Sequence, residues 1–154
     1  MNKYDSIIFV CTGNTCRSPM AEAMYKNYET ESDIKVISRG LVVLFSEPIN
    51  PKAETVLTKH GLKPVNHVSK GLRKSDIQEN SLILTMTESH KKRIQELFPN
   101  TKEVYTIKEF VGEMGDVVDP YGGTLVEYEE CYVELARLVK KTFYKIHDTS
   151  TSNN

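Results

Sequence analysis

Ser6-Ile7-Ile8-Phe9-Val10-Cys11-Thr12-Gly13-Asn14-Thr15-Cys16-Arg17-Ser18-Pro19-Met20 is the stretch that decides the fold. Its first five residues form a short, apolar, β-branched run, the pattern of a strand covered on both faces of a parallel sheet. Turn chemistry follows at Thr12 to Thr15. From about Arg17 to Tyr28 the chain reads as a helix, with Met20, Ala23, Met24 and Asn27 at helical spacing and Pro19 near its first turn. Strand, glycine-containing loop and helix succeed one another without a gap. In open α/β sheets such a loop lies outside the carboxyl end of its strand, where ligands bind.

The alternation continues outward from there. Ile34 to Ile37 reads as a strand and Pro51 to His60 as a helix, capped by Asn50 and ended at Gly61, with a loop from Gly40 to Ile49 between them. Ser81 to Met86 reads as another strand, Thr87 to Leu97 as a helix closed by Pro99, and Glu103 to Thr106 as a weaker strand. The last helix starts at Thr124, with Glu127 completing a capping box. Leu125, Tyr128, Tyr132, Leu135, Val139, Phe143 and Ile146 make its apolar face. Right-handed crossovers place helices on both faces of such a sheet. The sequence therefore predicts an α/β fold, a single doubly wound domain of about four parallel strands spanning 1–147, with a polar tail over 148–154.

Composition bounds the function. A chain of 154 residues suits one domain, and 20 Lys+Arg against 21 Asp+Glu leave a net charge of -1. No global field draws it to nucleic acid or a membrane surface, so affinity for an anion must be local. The N-terminus lacks the apolar region of a signal peptide and no run approaches a membrane span, which predicts a cytoplasmic protein. Three cysteines, an odd number, argue for free thiols rather than a disulfide framework. Cys11 and Cys16 have no matching partners for a zinc site, and His60, His67, His90 and His147 show no ligand spacing, so no metal or cofactor is expected. Each histidine reads as a surface or capping residue. Lys91, Lys92 and Arg93, with Lys70, Arg73 and Lys74, read as a solvated face.

The chemistry lies between Cys11 and Arg17. Five intervening residues let the backbone curl so that Thr12, Gly13, Asn14, Thr15 and Cys16 turn their amides inward as an anion nest that opens into a helix N-terminus. Gly13 and Asn14 are the types that best tolerate the positive φ of such a curl. A phosphate held there meets the amides, the positive helix end and the fork of Arg17. The same field favours an anionic sulfur at Cys11, a nucleophile, and Ser18 is placed to donate to it. Three cysteines and five arginines give about 0.1 chance Cys-x5-Arg matches; Gly two after the Cys and Ser after the Arg lower this to roughly one in a thousand.

Expelling a leaving group needs a proton. Asp119 lies in Val117-Val118-Asp119-Pro120-Tyr121-Gly122-Gly123, a Pro/Gly-punctuated loop before the last helix, and Asp116 competes for the role. Tyr121 is placed to wall a pocket. Leu41-Val42-Val43-Leu44-Phe45 reads equally as pocket rim or as core.

These residues together resemble the low-molecular-weight protein phosphatase family, known for its tyrosine phosphatases. Cys11 to Glu22 is similar to the family's loop and first helix, Ser38-Arg39-Gly40 to its Ser-x-Gly segment, and Asp119-Pro120-Tyr121 to its acid loop. The resemblance implies that Cys11 is the nucleophile, Arg17 the phosphate ligand, Asp119 the general acid, and Asn14 with Ser38 the support of the loop. It implies phosphorylated protein substrates, and phosphate or similar oxyanions as ligands. Tyrosine-directed members typically carry an aliphatic residue where this chain has Thr15, and commonly a second aromatic where it has Gly122. Thr15 and the Asp-Pro-aromatic-Gly-Gly ending look instead like the arginine phosphatase branch, with Thr15 and Tyr121 in the substrate pocket. A planar guanidinium wants hydroxyl and carboxylate neighbours, whereas a phenyl ring wants an apolar slot.

Two further expectations concern the thiols. Oxidised Cys11 is placed to be trapped by Cys16 as a disulfide, and Cys131 reads as core. The competing classes are a thioredoxin-coupled arsenate reductase on the same fold, which needs a cysteine pair that Ser81 to His90 lacks, and a non-catalytic phosphate-binding module.

Overall fold

β1 (Ser6–Cys11) is buried along its whole length, and it forms the axis of the molecule. In the computed structural model, which describes residues 3–28, 33–64 and 66–152, it lies between β2 (Lys35–Gly40) and β3 (Ser81–Thr85), with β4 (Val104–Thr106) beyond β3. All three pairings are parallel: Ile8 faces Ile37 on one side and Ile83 on the other, and Ile83 faces Val104. The chain leaves β1 toward β2 and later crosses to β3 on the opposite side. The carboxyl end of β1 is therefore the topological switch point, where neighbouring connections diverge and leave a crevice.

Alternation along β1 sends side chains to two cores. Ile7, Phe9 and Cys11 face the larger one, shared with α1 (Arg17–Tyr28), α2 (Pro51–Lys59), α4 (Ile107–Phe110) and α5 (Leu125–Ser152). Ile8 and Val10 face the smaller one, which Ile83, Val104 and Ile94 of α3 (Glu88–Leu97) complete. The rings of Phe9, Tyr25 and Phe143 link sheet, α1 and α5, with centroids 6.1 and 5.9 Å apart. Helices thus cover both faces of a four-stranded parallel sheet, as the sequence predicts.

Caps fall where residue chemistry places them. Asn50 accepts from the Lys52 amide at the start of α2, Thr87 from the His90 amide at the start of α3, and Thr124 from the Glu127 amide before α5. Three boundaries differ from the sequence reading. β2 runs on to Gly40, because Ser38, Arg39 and Gly40 pair with Phe9, Val10 and Cys11, and pairing to a neighbour outweighs their weak strand propensity. The α4 turn, capped by Thr106 and Glu109, is too short to show a period. The backbone of α5 stays helical to Ser152, past Asp148, where polar composition alone suggests a frayed tail; residues 153–154 lie outside the described chain.

Gly40 sits where β2 meets the loop after β1. A Cβ there would lie 2.7 Å from the Thr12 carbonyl oxygen, 2.7 Å from Val43 Cγ2 and 3.1 Å from Asn14 Cβ. Because backbone resists displacement more than a side-chain tip does, Gly40→Ala is expected to destabilise the fold by about 2 kcal/mol and to displace the loop. Urea unfolding checks this, and an unchanged midpoint refutes it.

Candidate active site

The loop leaves β1 at Cys11 and enters α1 at Arg17, and its carbonyls are tied outward. Those of Cys11 and Thr12 accept from the Leu41 amide at 3.1 and 2.9 Å, and Thr12 also accepts from Val42 at 2.9 Å. The Asn14 carbonyl accepts from His67 Nε2 at 2.7 Å and that of Thr15 from the Asn50 amide at 2.9 Å. Among the described residues nothing accepts from the amides of Gly13 to Arg17, which open at the N-terminus of α1. That is an anion-binding arrangement.

Asn14 holds the curl. Its φ of 57° is left-handed, its side chain is fully buried, and Nδ2 donates to Ser18 Oγ and to Ser38 Oγ, each at 2.9 Å. Its Oδ1 accepts from the Lys70 amide at 3.0 Å, while Ser38 Oγ donates to Glu22 Oε1 at 2.6 Å. Of the two residues read as suited to positive φ, only Asn14 adopts it; Gly13 stays at negative φ, since one left-handed residue suffices to turn the chain.

Cys11 is buried, and its Sγ lies 2.9 Å from Ser18 Oγ. Because Ser18 Oγ already accepts from Asn14, its own hydrogen is free for the sulfur; the competing acceptor, the Arg39 carbonyl, is farther at 3.4 Å. Arg17, 4% exposed, donates through Nη1 to the Val117 carbonyl at 2.9 Å, and its Nη2 lies 3.5 Å from Asp119 Oδ2. The Val117 amide in turn donates to the Met86 carbonyl at 2.8 Å, which anchors the acid loop at the end of β3. Asp119 Oδ1 accepts from the Tyr121 amide at 3.0 Å.

These groups line one cavity of about 330 Å³, with Cys11, Thr12, Arg17, Asp119 and Tyr121 on its walls. Asp116 is not among them: it accepts from the Glu88 amide at 2.8 Å, at the head of α3. The two acids that the sequence left in competition are thus separated. Leu44 and Phe45 are 82% and 77% exposed, and Val42 to Phe45 line the cavity as its rim, whereas Leu41 packs against the smaller core, so the segment serves both purposes. Thr15 also lines the cavity, its Oγ1 a long 3.8 Å from Cys16 Sγ. A larger cavity of about 730 Å³ lies over α1 and β2, and Cys11 does not line it. Among the described residues no group of three acidic, histidine or cysteine side chains is arranged to hold a metal ion.

Cys16 lines the cavity with its Sγ 3.5 Å from Tyr128 Oη, and burial pushes its thiol up from the ordinary range. Cys131 belongs to the core, where burial pushes it up to about 12. The histidines correct the sequence reading in part. His60 stacks on Tyr132 near the surface, but His67 grips the loop carbonyl of Asn14, and His90 is buried with Nε2 2.9 Å from Thr12 Oγ1. The signal for His90 was positional: the first turn of the helix after β3 lies on the same sheet edge as the loop.

A family model described as low molecular weight phosphotyrosine protein phosphatase matches residues 6–151. The chain belongs to that family, and it is a phosphatase of that class. It is 38% identical over 135 residues to the low molecular weight protein-tyrosine-phosphatase PtpB of Staphylococcus haemolyticus, covering 88% of this chain and 95% of the relative. It is 42% identical over 142 residues to the protein-arginine-phosphatase of Bacillus subtilis, covering 88% and 92%. The solved YwlE arginine phosphatase of Geobacillus stearothermophilus superposes with a TM-score of 0.90 at 36% identity, covering 97% of each chain. Among the described residues no helix is long and apolar enough to cross a membrane.

His90 generates a pH dependence. Burial, and then the Arg17 charge, pull its imidazole from an ordinary 6.5 down to about 4. The unfolded chain binds this proton between those values and the folded one does not, so stability is full above about pH 6.5 and drains away as pH falls toward 4. Between pH 7 and 4 the wild type is expected to lose roughly 2 kcal/mol more stability than His90→Gln, a figure reduced for solvent screening of a partly buried ring. Denaturant titrations at several pH values check this, and parallel curves contradict it.

Proposed function

We propose that this phosphatase hydrolyses phosphorylated protein side chains through a phosphocysteine on Cys11, and that phosphoarginine is preferred to phosphotyrosine. The observation that carries the covalent route is the Ser18 hydroxyl 2.9 Å from Cys11 Sγ, in a cavity shared with Arg17 and Asp119. Arg17 and the loop amides hold the phosphoryl oxygens. Cys11 sulfur attacks phosphorus as the bond to the leaving nitrogen or oxygen breaks, and Asp119 gives that atom its proton. Water then attacks phosphorus, Asp119 takes the water proton, and the sulfur–phosphorus bond breaks to release phosphate. Ser18 stabilises the departing thiolate.

Preference for phosphoarginine is supported by Thr15 and Asp119 in one cavity, which offer a hydroxyl and a carboxylate to the guanidinium N–H groups. The phosphotyrosine reading has its own support in the exposed rings of Phe45 and Tyr121 at the mouth, which suit a phenyl ring. An arsenate reductase role is disfavoured because the third thiol, Cys131, is core on α5. Cys11 and Cys16 line the same cavity, and this supports a redox role: peroxide takes the Cys11 thiolate to a sulfenic acid, and the Cys16 thiol condenses with it to a disulfide and water.

Wild type is expected to hydrolyse para-nitrophenyl phosphate, Cys11→Ser to be inactive, and Asp119→Asn to lose roughly 10²- to 10⁴-fold in kcat on peptides. An active Cys11→Ser would refute the covalent route. Thr15→Ile is expected to shift the phosphoarginine-to-phosphotyrosine rate ratio toward tyrosine, and an unchanged ratio removes the specificity argument.

After a peroxide pulse, Cys16→Ser is expected to recover less activity with thiol than wild type, because its sulfenic acid oxidises further. Equal recovery in the two proteins would rule out trapping by Cys16.

A further inference from the structure

His90 is 8% exposed, and its bonding is incomplete: Nε2 lies 2.9 Å from Thr12 Oγ1, while Nδ1 is enclosed with no partner. The one other enclosed side-chain atom without a partner among the described residues, Glu129 Oε2, belongs to a cluster on α5 with His60, away from the cavity. The ring has two neutral tautomers, and the orphan decides between them. With the hydrogen on Nδ1, a donor would be buried without an acceptor. With it on Nε2, the orphan is a bare lone pair, the more tolerable of the two. A charged ring would carry both hydrogens and orphan one of them, and burial beside Arg17 already holds the imidazole neutral.

The tautomer fixes what Thr12 does. Nε2–H donates to Thr12 Oγ1, so the Thr12 hydroxyl hydrogen is not spent on the ring, and Thr12 Oγ1 has no other partner among the described residues. Thr12 lines the cavity with Cys11 and Arg17. We propose that His90 is a positioning residue that orients the Thr12 hydroxyl as a hydrogen-bond donor to a phosphoryl oxygen of the substrate. This inference rests on the phosphatase reading and adds a contact to it. It also divides the two threonines. Thr12, turned into a donor, recognises the anion that both substrates share, whereas Thr15 faces the leaving group and discriminates between them.

The test begins without turnover. A long-range proton–nitrogen NMR spectrum of the full chain at pH 7 is expected to show His90 protonated on Nε2 and bare on Nδ1; the opposite tautomer overturns the proposal. Titration with inorganic phosphate is expected to show roughly tenfold weaker binding for Thr12→Val and for His90→Leu. The double variant should be no weaker than either single one, and His90→Gln, whose side-chain amide offers a donor in the place of Nε2–H, should stay near wild type. Additive losses, or a His90→Gln as weak as His90→Leu, overturn it. Rates on phosphoarginine and phosphotyrosine peptides should fall together with their ratio unchanged, and a shifted ratio also overturns it. A wild type that binds phosphate yet hydrolyses nothing would defeat the proposed catalytic route while leaving the tautomer and its effect on phosphate binding as found.

Discussion

The site depends on one buried amide side chain. Asn14 occupies the left-handed conformation that reverses the loop, and its Nδ2 and Oδ1 bind Ser18, Ser38 and the Lys70 amide. Glycine would adopt the same φ more freely but would lose all three bonds: the Lys70 amide would lose its acceptor, and Ser18 and Ser38 would keep Cys11 and Glu22 but no longer be tied to the loop. Asparagine therefore suits the position for two reasons at once: it tolerates the turn, and it ties the loop to β2 and to the segment before β3. With that side chain in place the loop carbonyls are bonded to Leu41, Val42, His67 and Asn50, and the amides of Gly13 to Arg17 are left without acceptors among the described residues.

The loop's field is concentrated rather than spread. The chain is near neutrality overall, and among the described residues Arg17 is the one cation lining the cavity, against Asp119 and Glu47. Burying a guanidinium is costly unless its donors are met. Val117 and Asp119 meet part of that demand, and on the proposed reading a phosphoryl group would meet the rest. This links the loop carrying Asp119 to the loop after β1: the arginine proposed to bind the phosphoryl group also fixes the backbone two residues before Asp119. A charged His90 beside it would add repulsion inside the same small volume, and burial prevents that charge at neutral pH.

How much of this was legible in the sequence follows from the physics of each part. The strand from Ser6, the helix from Arg17 and the Cys11–Ser18 loop are local, because apolar run, turn residues and helix entry follow without interruption. The extension of β2 through Ser38, Arg39 and Gly40 was not legible, since it comes from pairing with β1 rather than from those residues' own preferences. Spacing alone ranks Asp119 over Asp116 only weakly for the same reason, and it is the family resemblance that favours Asp119: three residues apart in one loop, the two are told apart in the structure by what each one bonds. His67 and His90 were misread because a lone histidine carries no periodic signal, and burial comes from elements far away in the chain.

Specificity and catalysis consequently sit in different layers of the structure. Cys11, Asn14, Arg17 and Ser18 are buried and bonded, so the geometry of the bowl is set by the fold, and in the proposed reaction the phosphoryl group is common to every substrate. Nothing in a ring of amides and one guanidinium distinguishes a nitrogen from an oxygen leaving group. On the proposed reading, discrimination comes from side chains one step outward: the half-buried Thr15 and the exposed Tyr121 and Phe45. The chain is similar at 38% and 42% identity to relatives named for tyrosine and for arginine phosphatase activity, and a bowl that binds only the shared phosphoryl group would suit either substrate.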